Sequence, residues 1–263
     1  MIEKNRLLDF DGVIYQNSEW FKFSLDSVLL VNFIDYSKKI DNIMDFCCGN
    51  APIPMLLSYK TSAKIFGVEL QKCIFDLGVK SIYENKMDDK ISLINDDIKN
   101  ISNYFKPESF DLITCNPPYF KYKTSSIISS SDIKSVARHE ICMNLDDLIA
   151  SVKYLLKGNG SFYMVHRTER FYEIINKLAI NKLEPKRVQF IYSNINKNSD
   201  LFLIECKKNG RSGLKVLKPL IVFDDKGNYN CYIRDMYSDK RWYYVAKEFR
   251  WFSIIIYCFN SYW

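Results

Sequence analysis

Histidine is scarce in this chain: His139 and His166 are the only two in 263 residues. Eight cysteines are present, but no two stand in a C-x-x-C spacing. Together these shortages argue against the usual zinc frames, so no metal site is expected. Several cysteines sit in apolar runs, where they read as small buried hydrophobes in a reducing compartment. No segment approaches the roughly 20 apolar residues that cross a bilayer. Met1-Ile2-Glu3-Lys4-Asn5-Arg6 is charged and lacks the apolar stretch of a signal peptide. A cytoplasmic protein without a membrane partner is therefore expected. No linker rich in proline or glycine divides the chain, and no internal repeat is evident.

What is present suits one large α/β domain with small additions. Hydrophobic residues make up 48% of the chain, enough to bury a sizeable core. Lys and Arg exceed Asp and Glu by 37 to 31, a net charge of +6. An excess of that size permits a polyanionic partner without demanding one.

Residues 4–16 read as a hairpin turning at Asp9-Phe10-Asp11-Gly12, since Asp-Gly is a turn signal. Ser24 is placed to cap a buried helix over the apolar run that ends at Ile34. From residue 42 strands and helices alternate. Strands are expected at 43–46, 65–69, 91–94, 110–115 and 161–165. Helices are expected up to about 59, over 71–86, and over 145–156, the last closed by Gly158. The alternation predicts a Rossmann-like, mostly parallel sheet with helices on both faces. Residues 121–136 break the pattern as a Ser-rich loop, either a lid or a disordered segment. The expected division is a hairpin and helix over 1–36 packing on the core, a main domain over 37–235, and an apolar tail over 236–263. Within the tail, Trp251 to Phe259 is too short to span a bilayer and is expected to pack on the domain.

In an open α/β sheet, ligands bind beyond the carboxyl ends of the strands. Here those ends carry Asp45, Glu69, Asp97 and Asn116-Pro117-Pro118-Tyr119. The turn after the first strand of the alternation has small residues at Gly49 and Ala51, so its backbone can approach a ligand. It is poorer in glycine than a dinucleotide fingerprint, and Asp45 would repel a pyrophosphate. A carboxylate there suits the cationic amino-acid part of S-adenosylmethionine; alternatively, it only caps the turn. Glu69 can accept hydrogen bonds from ribose hydroxyls. Asp97, or its neighbour Asp96, can accept from an adenine amino group. Two prolines stiffen the backbone after Asn116. The Asn116 side chain and a proline-region carbonyl can both accept from one planar NH2 group, and Tyr119 can stack on its ring.

At these residues the chain resembles class I S-adenosylmethionine methyltransferases of the N-P-P-Y type. It is most similar to bacterial enzymes that make N6-methyladenosine at position 37 of valine tRNA. The likeness extends over about residues 1–235. It includes Phe23 to Leu30, Gly67-Val68-Glu69-Leu70-Gln71, Thr114 to Phe120, Ala137-Arg138-His139-Glu140, Met164-Val165-His166-Arg167 and Glu184-Pro185-Lys186-Arg187. Cys48 stands where relatives usually carry Thr, and Ala51 where Gly is common. The resemblance implies a seven-stranded sheet with one antiparallel strand at the end. It implies that Asp45, Gly49, Glu69 and Asp97 contact S-adenosylmethionine, with Cys47, Ala51, Leu70 and Asn116 beside them. Asn116, Pro117, Pro118 and Tyr119 would hold the target base. Tyr119, Lys121, Lys123, Arg138, His139, Arg167 and Arg187 would meet a tRNA anticodon stem-loop, with the enzyme acting as a monomer. A release-factor glutamine, a DNA adenine and an rRNA guanine also present a planar NH2, and an RNA-binding protein without catalysis is the alternative of another class.

Overall fold

The structure is a computed structural model, and it describes residues 1–7, 12–17, 24–117 and 144–238. Short apolar runs between polar or small residues make the strands. They are β1 (Ile2–Arg6), β2 (Val13–Asn17), β3 (Asn42–Phe46), β4 (Lys64–Glu69), β5 (Ile91–Asn95), β6 (Phe110–Cys115), β7 (Leu156–Arg167), β8 (Leu183–Tyr192), β9 (Ser199–Lys208), β10 (Lys215–Val216) and β11 (Leu220–Ile221). The helices are α1 (Leu25–Phe33), α2 (Pro52–Lys60), α3 (Lys72–Glu84), α4 (Leu145–Leu155), α5 (Phe171–Ile180) and α6 (Cys231–Ser238).

The main sheet has nine described strands in the order β10-β8-β9-β7-β6-β3-β4-β5, with β11 also pairing β8. β3 to β7 run parallel, as the alternation predicts. One long strand, β9, is antiparallel, but it is not at the edge of the sheet. It lies between β7 and β8 and pairs with both. Phe202 to Cys206 of β9 are buried, so both edges of this strand need partners away from water. The two-residue strands β10 and β11 extend the sheet beyond the expected seven.

Side chains of alternate residues feed two cores, one on each face. Ile43, Leu112, Tyr163 and Leu203 pack with α1, α2, the hairpin and α6. Met44, Ile113, Phe162, Met164 and Ile204 pack with α4 and α5. The hairpin is fastened to the end of α3 and to the turn before α2 by side chains that satisfy its open edge. Asn85 Oδ1 accepts from Val13 N at 2.8 Å, Ser81 Oγ accepts from Tyr15 N at 2.9 Å, and Asn50 Nδ2 donates to Tyr15 O at 2.8 Å.

One cap bond and two boundaries differ from the sequence expectations. Ser24 stands at the N-cap of α1, but its side chain makes no cap bond and its Oγ is buried without a partner. Gly158 does not close α4. That helix ends at Leu155, and Leu156, which is fully buried, already pairs with Phe110 as the start of β7. α6 runs across the expected break between 235 and 236, because Ile233 and Met236 both bury in the core that contains α1. The loop at 121–136 and the run from Trp251 to Phe259 lie outside the described residues.

Candidate cofactor and methyl-transfer site

The chain leaves β3 and enters α2 through a turn of five residues. Three of them adopt left-handed backbone: Cys47 at φ 56°, Gly49 at φ 57° and Ala51 at φ 68°. Only glycine takes this conformation without strain, so Cys47 and Ala51 are held there by their surroundings. Ala51 N donates to Cys48 O at 2.9 Å, and Pro52 opens the helix with a favourable φ. At Gly49 a Cβ would meet nothing within 4 Å, so open space adjoins the turn. On β4, a Cβ at Gly67 would fall 2.8 Å from Cys48 Sγ; glycine there lets the turn lie against the strand.

Two carboxylates stand under this turn. Asp45, on β3, is fully buried and pairs in register with Thr114 of β6. Thr114 Oγ1 donates to Asp45 Oδ1 at 2.6 Å, while Asp45 Oδ2 is buried without a hydrogen-bond partner. Glu69, ending β4, is also buried. Its Oε2 accepts from Gly49 N at 3.0 Å and its Oε1 from Gln71 N at 2.8 Å. Burial pushes the Asp45 carboxyl well above the usual carboxylate range; the Thr114 bond opposes this, and the charge of Glu69 adds to it. Burial likewise raises Glu69, against the pull of its backbone N–H donors. Among the described residues, no lysine or arginine acts on either carboxylate. A pair of buried, like-charged acids with no cation is costly unless something positive binds beside them.

The next strand end continues the site. Asp97 caps the short 3-10 turn Ile98–Asn103, its Oδ1 accepting from Lys99 N at 3.0 Å. Its neighbour Asp96 is engaged elsewhere, accepting from Asn100 Nδ2 and from the Tyr104 hydroxyl, both at 2.8 Å. Between the strand ends Leu70 is 41% exposed, an apolar surface beside Glu69. Asn95 holds that segment by donating to Glu69 O at 2.8 Å and Leu70 O at 3.0 Å.

Register brings the Asn116 motif to the same place. Phe46 pairs with Cys115 across β3 and β6, so Cys47 and Asn116 are the next residues on neighbouring strands. Neighbouring strands lie about 4.8 Å apart, which puts the Asn116 end one strand from the turn. Asn116 is partly buried and Pro117 buried. Pro118, Tyr119, Lys121, Lys123, Arg138 and His139 lie outside the described residues.

Two of the expected tRNA contacts are described. Arg167 ends β7 on the carboxyl side of the sheet and is partly exposed. The structure gives Arg187 a different task. It forms an ion pair with Glu205, its Nη2 donates to Phe33 O at 3.0 Å, and its guanidinium lies 4.7 Å from the Phe33 ring centroid. Those contacts tie α1 to β8 and β9 and leave Arg187 turned inward. His166, beside Arg167, is buried, and burial holds its pKa down to about 4, with the charge of Arg170 adding to the effect. Thr114 was marked in the sequence only as part of the resemblance, without a role, and Asn95 was given none. The available sign was a polar residue inside an apolar strand run, whose importance depends on which strand lies opposite.

Known proteins match this arrangement. The family model described as Methyltransferase small domain matches residues 20–186. The tRNA1(Val) (adenine(37)-N6)-methyltransferase of Cytophaga hutchinsonii is 25% identical over 186 residues, 69% of this chain and 74% of that protein. The Shewanella woodyi protein of the same name is 26% identical over 163 residues, 61% of this chain and 65% of that one. Among solved structures, a predicted O-methyltransferase from Agrobacterium tumefaciens superposes with a TM-score of 0.65 at 15% identity, covering 80% of this chain and 94% of its own. A geranyl diphosphate C-methyltransferase from Streptomyces coelicolor, bound to S-adenosyl-L-homocysteine, gives 0.51 at 13% identity over 69% of this chain and 79% of its own. Such distant structures speak for the fold alone. With a family model covering well over half of its length, the chain belongs to the methyltransferase small domain family.

Proposed function

We propose that this protein transfers a methyl group from S-adenosylmethionine to N6 of an adenosine in tRNA, at position 37 of valine tRNA. The observation that carries the reading is the pair of buried carboxylates, Asp45 and Glu69, with no cation acting on them among the described residues, one strand away from Asn116-Pro117. The unpartnered Oδ2 of Asp45 and the open space beside Gly49 fit a cationic ligand lying against the turn. The names of the relatives support the substrate.

S-adenosylmethionine supplies a methyl group made electrophilic by the adjoining sulfonium. The chain does the rest. Asp45 would face positive charge on the amino-acid part, Glu69 would accept from ribose hydroxyls, and Asp97 would accept from the adenine amino group. Leu70 offers apolar surface to the same ring, and Cys47, Gly49 and Ala51 shape the turn. Asn116 Oδ1 and the Pro117 carbonyl accept the two N–H bonds of the target amine, which leaves its lone pair directed at the methyl. As positive charge grows on that nitrogen, both acceptors strengthen, so their effect appears in the transition state. From the resemblance, Pro118 and Tyr119 would complete the base-holding motif, with the Tyr119 ring available to stack on a turned-out base. Lys121, Lys123, Arg138, His139 and Arg167 contact phosphates of the anticodon stem-loop, giving affinity without sequence reading. The enzyme acts as a cytoplasmic monomer.

The test is incubation of unmodified tRNA with the protein and S-adenosylmethionine, followed by mass spectrometry of nucleosides. N6-methyladenosine appearing in valine tRNA is the expected result. Methylation of DNA or of a glutamine peptide, with none in tRNA, would replace the substrate while keeping the chemistry.

A further inference from the structure

Thr114 stands outside the set of residues that touch cofactor or base in the reading above. It lies in the strand run Phe-Asp-Leu-Ile-Thr-Cys, two residues before Asn116, and is fully buried. Its hydroxyl makes one short bond, to Asp45 Oδ1 at 2.6 Å, and a longer approach to Met44 O at 3.5 Å. A donor held against one carboxylate oxygen favours the ionised form and fixes the plane of the group. The other oxygen, Oδ2, is then left with its lone pairs unanswered.

The surroundings make that donor matter. The groups acting on Asp45 are Thr114 from β6 and Glu69 from β4. Asp45 in turn acts on the thiols of Cys48, in the turn, and Cys115, on β6, which faces Cys47. None of these brings a positive charge. The Thr114 hydroxyl is the hydrogen-bond donor to Asp45 among the described residues, and it opposes both burial and the charge of Glu69.

We infer that Thr114 is a positioning residue that keeps Asp45 ready to ionise, so that cofactor binding is coupled to release of a proton from Asp45. The inference rests on the cofactor site proposed above and adds to it the control of one carboxylate. Without ligand, the Asp45 carboxyl retains its proton to higher pH than an exposed acid. A bound ammonium favours the carboxylate, and the proton leaves to solvent. Affinity for a cationic ligand therefore rises with pH until Asp45 is ionised in the empty protein, and falls again where the ligand's own α-ammonium, with an ordinary pKa of about 8, loses its proton. Removing the Thr114 donor moves the rising limb to higher pH.

The experiment is calorimetric titration of the full chain with S-adenosylmethionine across a pH series, for wild type, Thr114→Val and Thr114→Ser. Thr114→Val keeps the shape and removes the donor. The expected result is affinity about tenfold or more weaker at neutral pH, with the rising limb shifted upward in pH. Thr114→Ser keeps a hydroxyl and should restore the wild-type profile. A merely structural role would weaken binding equally at every pH, and that outcome overturns the inference. So does a wild-type affinity that is level with pH, or a Ser variant that behaves like Val. Absence of any S-adenosylmethionine binding by folded wild type would instead remove the proposed function.

Discussion

The backbone N–H of Gly49 donates to Oε2 of Glu69 at 3.0 Å, joining the turn after β3 to the end of β4. Glu69 therefore braces the turn, and in the proposed site it is also the acceptor for ribose. Glu69→Gln keeps the size and one acceptor oxygen while removing the charge. It is expected to weaken S-adenosylmethionine binding by about 1.5–3 kcal/mol, the usual worth of hydrogen bonds to a charged group. Calorimetry measures this directly. An unchanged dissociation constant would take Glu69 out of the site.

His166 sets a pH dependence of stability. Its folded pKa is lowered from 6.5 to about 4 by burial, so the unfolded chain binds more protons between those values. Its contribution is present above pH 6.5 and is lost as pH falls toward 4, amounting to about 3 kcal/mol at most. Asp45 and Glu69 have the opposite sign, since raised carboxyl values favour the folded form at low pH and lose that advantage as pH rises. The difference between wild type and His166→Gln isolates the histidine. Urea unfolding at pH 7 and pH 5 should show wild type losing more stability than the variant. Parallel losses would contradict the burial of a neutral imidazole.

Arg187 separates a structural role from an RNA contact. Glu205 is buried, and removing Arg187 leaves its carboxylate with only the more distant Lys207 ammonium, at 3.7 Å. Arg187→Ala should destabilise the fold by about 3 kcal/mol, somewhat below a fully buried pair because the arginine is partly exposed. The folded fraction should bind tRNA as wild type does. A variant of normal stability with weak tRNA binding would restore Arg187 to the RNA surface.

The parallel sheet was legible because apolar runs and turn residues alternate from Asn42 onward, and the strand ends then located Asp45, Glu69, Asp97 and Asn116. Local pattern could not reveal long-range register. The hydrogen bond between Thr114 and Asp45 spans 69 residues, and Arg187 reaches Phe33 across 154. The insertion of β9 between β7 and β8 is of the same kind, since a strand's period of two says which residues are buried but not which strand lies alongside. Gly158 misled for a local reason: glycine commonly ends helices, yet here it lies within the first residues of β7.

In the proposed mechanism, methyl transfer itself depends on Asn116. Asn116→Ala should leave S-adenosylmethionine binding intact, because the carboxylates and the turn remain. It removes an acceptor that matters most when charge develops on the attacking nitrogen, and loss of one such preorganised group typically slows a reaction by about a hundredfold or more. The measurement is single-turnover methylation of unmodified tRNA at saturating S-adenosylmethionine, with nucleosides identified by mass spectrometry. The account predicts N6-methyladenosine from wild type and a rate at least about a hundredfold lower from Asn116→Ala, at equal cofactor affinity. A near wild-type rate from that variant would contradict it.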